Sequence, residues 1–216
     1  MEYKVSTPSI HLMFLVDKSS SMFDHAKQIE SVINNCINSQ KNKSSEDRLS
    51  IFTFSHDFEV VMFDQYLNDA PKFKDFEPKG TTYLYDSIAT VIDGSLKATR
   101  SRPNQTPFLI ILTDGSDFKS EKNTEEMVRK KIHVTEKEEN WKFIYLTTEK
   151  TDYFKSKETE KGLGIKNCCL FNISDGLENA LDAVVAAVDL YRKSGDVGNV
   201  DELNDLFSSS MKIDED

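Results

Sequence analysis

Apolar runs of strand length alternate along this chain with stretches of helical period, the order expected of a βαβ series and a largely parallel sheet. Ile10 to Val16 is nearly all apolar, which predicts a central strand buried on both faces, and Asp17 stands where it ends. From there Met22, Ala26, Ile29, Ile33 and Ile37 recur at helical spacing, so a first helix is expected over about Met22 to Asn38. Polar residues Ser39 to Asp47 form a loop. Arg48 to Phe54 and Phe58 to Tyr66 follow as two strands joined by Ser55-His56-Asp57, a link short enough for a hairpin and hence for one antiparallel edge strand.

Asn68 to Lys79, with Pro71 and Pro78, is loop-like and leads through Gly80-Thr81-Thr82 into a second helical stripe of Leu84, Ile88, Val91 and Ser95. Pro103 to Pro107 close that helix off. Phe108 to Leu112 is the purest buried-strand signal and stops at Thr113-Asp114-Gly115. A charged helix is expected around Asn123 to Glu138, a strand from Trp141 to Leu146, a short helix near Tyr153 to Lys161 and a strand from Cys168 to Ile173. The last helix is marked by Leu177, Ala180, Leu181, Val184, Val185, Val188 and Tyr191 and ends at Gly195. The pattern holds no internal repeat. It describes one α/β domain over residues 1–194, with a doubly wound, mostly parallel sheet, one antiparallel edge strand and helices on both faces.

With 216 residues the chain is of ordinary size for a single domain with one substantial core. Its net charge of −10 is uneven: seven acids against Lys212 alone lie in residues 195–216, an acidic tail expected to be flexible. The same tail carries Val200, Leu203, Leu206 and Phe207 at helical spacing, which suits either docking into a groove or packing on the domain's own surface. An acidic chain without a basic stripe repels phosphate backbones, so nucleic acid is not expected as a ligand. Cys36, Cys168 and Cys169 are an odd count without C-x-x-C spacing and read as reduced thiols. Leu12 to Val16 is too short for a membrane span or a signal core, so a soluble, cytoplasmic location is expected.

In an open α/β sheet, ligands bind beyond the carboxyl ends of the strands. Three such ends are rich in oxygen donors: Asp17-Lys18-Ser19-Ser20-Ser21, a D-x-S-x-S sequence; Gly80-Thr81-Thr82 before a helix; and Thr113-Asp114-Gly115 after a strand. Taken singly each is an ordinary turn or helix cap, with Ser21 or a threonine as the capping residue. Together and in this order they resemble the metal-ion-dependent adhesion site of von Willebrand factor A (vWA, integrin I-like) domains, a resemblance that spans roughly residues 8–194.

That resemblance implies a Rossmann-like fold and a cation, Mg²⁺ or else Mn²⁺ or Ca²⁺, one per domain. Ser19, Ser21 and Thr82 would give hydroxyl ligands, while Asp17 and Asp114 would bind directly or through water. Thr81 and Thr82 both lie in the right loop; the family's run L-Y-D-A-I is similar to Leu84-Tyr85-Asp86-Ser87-Ile88 when Thr82 takes the role, with Thr81 in place of a frequent glycine. The partner implied is a protein presenting Asp or Glu to the open metal position, in some intracellular members within a large assembly.

Two other classes compete. A Mg²⁺-dependent phosphohydrolase of the haloacid dehalogenase type also begins with Asp at the end of a first strand, but position 19 is serine and the D-x-D is missing. Gly162-Leu163-Gly164 precedes a strand instead of following one, so it is no dinucleotide fingerprint. No nucleophile and base pair can be assembled from the three loops, and an enzyme is not expected. A metal-independent adaptor is the remaining alternative. His25 and His56 read as solvated turn residues, His11 as part of a buried strand, His133 as part of a charged helix, and Cys36 as core.

Overall fold

The computed structural model describes residues 8–115, 117–147, 162–165, 167–170 and 176–195. Among these, six strands form one sheet: β1 Ser9–Asp17, β2 Arg48–Phe54, β3 Phe58–Tyr66, β4 Gln105–Leu112, β5 Lys142–Thr147 and β6 Asn167–Leu170. Their spatial order is β3-β2-β1-β4-β5-β6, with every neighbouring pair parallel except β2 and β3. Four α-helices alternate with the strands: α1 Ala26–Gln40, α2 Leu84–Arg100, α3 Glu125–Glu139 and α4 Leu177–Ser194. The doubly wound, mostly parallel sheet with one antiparallel edge strand is therefore the architecture of this chain.

β1 explains the two-faced packing. Successive side chains on a strand point to opposite faces, so Ile10, Leu12, Phe14 and Val16 enter one core while Met13 and Leu15 enter the other. The first core is closed by α1 and α4 through Ile29, Ile33, Ile37, Val184 and Val188. The second is closed by α2 and α3 through Leu84, Ile88, Ile92, Val128 and Ile132, with Trp141, Phe143 and Tyr145 from β5 and the segment before it.

Polar groups lock the end of the sheet away from the candidate site. Arg192 of α4 and Asp47, both almost fully buried, pair at 2.6 Å. The same guanidinium donates to Pro8 O at 2.9 Å and Gln40 Oε1 at 3.2 Å, and Asp47 also accepts from the Ile10 N–H. A lone buried charge would be costly; here each has several partners.

Two expected starts differ by several residues. The first helix does not begin at Met22: Ser20–His25 is a 3-10 turn and the α-helix starts at Ala26. The reason is a tether, for the Ser20 N–H is drawn to Gly80 O at 3.1 Å and Met22 N–H closes a tight turn on Ser19 O at 3.0 Å. β4 begins at Gln105, not Phe108, and includes Pro107. Proline is tolerated because residue 107 pairs with His11 of β1 while β5 joins only from Phe108 onward. Leu67–Asp69 adds a short 3-10 turn at the start of the long loop. The helix expected at Tyr153 to Lys161, the last residues of the strand expected to reach Ile173, and the tail lie outside the described residues. No helix among the described residues is long and apolar enough to cross a membrane.

Candidate metal centre

β1 and β4 lie side by side at the sheet's centre, and their register runs to Val16 beside Leu112. The chain leaves β1 toward the β2 side and leaves β4 toward the β5 side, so the loops diverge and open a crevice at the switch point. Asp17 ends β1 and Thr113 directly follows β4, and both are fully buried. The Thr113 hydroxyl donates to Asp17 Oδ2 at 2.6 Å, and the Ser19 N–H donates to Asp17 Oδ1 at 2.7 Å. One carboxylate is thus held from two loops.

The hydroxyls continue the chain of contacts. Ser19 Oγ lies 3.0 Å from Ser21 Oγ, and Ser21 Oγ donates to Asp114 Oδ1 at 2.9 Å. Asp17, Ser19, Ser21 and Asp114 therefore meet in one hydrogen-bonded cluster. Thr82 approaches from the second loop: it is buried, and its Oγ1 is 4.0 Å from where a side chain on Gly115 would begin, whereas Thr81 is exposed. Gly115 thus leaves open the space between the second and third loops.

The electrostatics of Asp17 are unusual. Burial pushes its carboxyl up to about 6, against the hydrogen bonds from Thr113 and Ser19, and the negative Asp114 adds to the rise. No ion pair reaches Asp17 among the described residues; the adjacent Lys18 turns instead to Glu59 at 2.7 Å. No group of three or more His, Cys, Asp or Glu side chains suited to a metal occurs among the described residues. The cluster is built otherwise, from two carboxylates and two hydroxyls, with the Thr82 hydroxyl on the neighbouring loop. All five donors are oxygens, the chemistry a hard cation takes, and a buried carboxylate without a counter-charge is what a cation there would neutralise.

Four residues that hold the loops together had no role in the sequence reading. α2 begins without a side-chain cap from Tyr83, and the third loop supplies one. Asp117 Oδ1 accepts the Tyr85 N–H at 3.2 Å, and Ser120 Oγ accepts the Asp86 N–H at 3.0 Å. Asp86 reciprocates by accepting the N–H groups of Glu121, Lys122 and Asn123 at 2.8 to 3.1 Å. Burial alone would raise Asp86, but these bonds and the Asn123 side chain outweigh it and hold the carboxyl below its usual range. Ser20 bonds Gly80. The Asp and Ser residues were visible as polar letters, but only the fold shows what they cap.

The histidines play no part in the cluster. His11 is buried against Ser50 Oγ at 2.8 Å, and burial pushes it down to about 4. The His56 side chain is about half exposed and rests near Asp57 at 3.2 Å. Cys36 is a buried free thiol, pushed up to about 12 by burial.

The family model described as von Willebrand factor type A domain matches residues 11–150, from β1 to just beyond β5. The chain belongs to that family. vWA domains generally serve as protein-interaction modules. No curated protein matches the chain. Among solved structures, proximal thread matrix protein 1 of the mussel byssus matches with a TM-score of 0.60 at 15% identity, covering 84% of this chain and 47% of its own. A von Willebrand factor type A protein from Catenulispora acidiphila gives 0.58 at 15% identity, covering 83% of this chain and 42% of its own. Manganese-loaded TRAP protein of Plasmodium vivax gives 0.54 at 16% identity, covering 79% of this chain and 71% of its own. This vWA chain spans about half the length of the byssus protein. At such identities the likeness is one of fold.

Proposed function

We propose that this vWA domain is a divalent-cation-dependent protein-binding module, with an intact metal-ion-dependent adhesion site formed by Asp17, Ser19, Ser21, Thr82 and Asp114. These residues would hold one Mg²⁺, or Mn²⁺ or Ca²⁺, whose open coordination position accepts an Asp or Glu carboxylate from a partner protein. Neutral hydroxyls in place of further carboxylates leave the ion electrophilic enough to take that group. The observation that carries the reading is the chain of contacts from the buried Asp17, which no ion pair among the described residues offsets, through Ser19 and Ser21 to Asp114. Manganese in the TRAP structure supports the choice of ion. Phe23 and Phe118, 69% and 74% exposed on the first and third loops, supply apolar surface beside the cluster, as a protein partner would use.

The domain acts without turnover in this reading: the Ser19 and Ser21 hydroxyls, engaged with each other and with Asp114, serve as ion ligands and not as nucleophiles. A cytoplasmic site of action, within an assembly that supplies the acidic partner, belongs to the same proposal. The test is affinity capture from source lysate in Mg²⁺ and in EDTA, with Asp17→Ala as control. Partners held in Mg²⁺ and released by EDTA support the proposal. A complex that survives both EDTA and Asp17→Ala overturns it in favour of a metal-independent adaptor, and phosphoester turnover abolished by Asp17→Ala would make the protein an enzyme.

A further inference from the structure

The segment that delivers Thr82 has no regular secondary structure from residue 70 to residue 83, so its position is set by what it is tied to. Four ties surround Thr82. Lys79 N–H donates to Lys18 O at 2.6 Å, Tyr83 N–H to Ser55 O at 3.1 Å, and Phe118 N–H to Thr82 O at 3.0 Å. These three join main chain to main chain and survive most substitutions.

The fourth tie, at Gly80, is different because a side chain is added to a main-chain bond. Ser20 Oγ accepts the Gly80 N–H at 3.0 Å and lies 3.2 Å from Gly80 O, to which the Ser20 N–H also donates at 3.1 Å. Ser20 thus engages both polar groups of Gly80. On its other side Gly80, at φ +86°, meets the His56 ring: a Cβ there would fall 2.0 Å from His56 Nδ1. Gly80 is wedged between the first loop and the β2–β3 hairpin, two residues before Thr82.

We propose that Ser20 is a positioning residue of the metal centre: its hydroxyl, spent on Gly80, sets the loop so that Thr82 reaches the ion held by Asp17, Ser19 and Ser21. This rests on the metal-dependent reading above. Ser20 is exposed and lies in a 3-10 turn, so losing its hydroxyl removes little from the folded state, where its N–H bond to Gly80 persists. Ion affinity is what should suffer, since outer partners of metal ligands govern their orientation.

The experiment titrates Mn²⁺ into the full chain and follows the free-ion EPR signal for wild type, Ser20→Ala and Ser20→Thr, with melting of each in EDTA. Ser20→Ala should weaken Mn²⁺ binding by about 10-fold with melting in EDTA unchanged, and Ser20→Thr, which keeps the hydroxyl, should recover most of the affinity. Wild-type affinity in Ser20→Ala overturns the positioning role alone. Equal losses in the alanine and threonine variants, or a loss of affinity matched by a loss of metal-free stability, also overturn it. A wild-type protein that takes up no Mn²⁺ overturns the metal reading itself and the proposal with it.

Discussion

Thr113 donates its hydroxyl to Asp17 across 2.6 Å, joining the ends of the two central strands β1 and β4 at the point where their loops part. Asp17 is thereby oriented by its own neighbours, and no ion pair among the described residues offsets its burial. A carboxylate in that state stores the preference for an ion that the proposed function uses.

Mg²⁺ or Mn²⁺ should raise the melting temperature. An ion at ten times its dissociation constant adds about 1.4 kcal/mol by mass action, which for a domain of this size is a rise of about 3–5 °C. Asp114→Ala, or Ser19→Ala with Ser21→Ala, should remove the rise. Scanning calorimetry with and without millimolar metal decides it, and a wild-type protein that shows no rise refutes the site.

Asp17→Asn should stop ion binding yet stabilise the metal-free protein at neutral pH. Asn fits the same contacts: its Oδ1 can accept the Ser19 N–H, while Thr113 can turn its hydroxyl toward Gly115 O at 3.2 Å and accept from Nδ2. The sign follows from the titration. Asp17 rises from 3.8 unfolded to about 6 folded, so its favourable contribution is complete below 3.8, fades between these values and is gone above 6. In EDTA at pH 8 the Asn variant should therefore be more stable by about 2–3 kcal/mol, and the gap should narrow at pH 5. Urea unfolding at both pH values measures this; a variant less stable than wild type at pH 8 contradicts it.

Arg192→Ala should cost about 3–5 kcal/mol, because it leaves Asp47 charged, buried and without its partner. The ion-dependent rise in melting temperature should persist in that variant, since the pair sits at the opposite end of the sheet. Loss of the rise in a variant that still folds would show that the two ends are coupled.

A chain ending at Gly195 should keep both its fold and its ion response. α4 is complete by Ser194, and Gly195, in the left-handed conformation, closes it by donating to Tyr191 O at 2.8 Å. All five proposed ligands precede this point. Several degrees lost in EDTA would assign residues 196–216 to the folded unit, whereas unchanged stability with loss of a captured partner would assign them to docking.

The sequence by itself determined the class of fold and the strand ends at which oxygen donors gather. Those signals are local: the apolar runs of β1, β4 and β5, the helical stripe of α4, and D-x-S-x-S and T-D-G standing just after strands. Periodicity follows from which face each residue must bury, and β1 shows it in the split of Phe14 and Leu15 between two cores. Tertiary structure alone decided the rest, because it depends on residues far apart in the chain. Met22 looks helical, yet Ser20's bond to Gly80 winds its turn as 3-10. Spacing alone leaves Thr81 and Thr82 equal, the run Leu84 to Ile88 favours Thr82, and only the fold shows that Thr82 is buried while Thr81 is exposed. Thr113, Asp117 and Ser120 gained roles only when the strand order set β4's loop beside Asp17 and the start of α2. A hydrogen bond costs a sequence no recognisable pattern when its partner lies 60 or 90 positions away, and the placement of the site is made of such bonds.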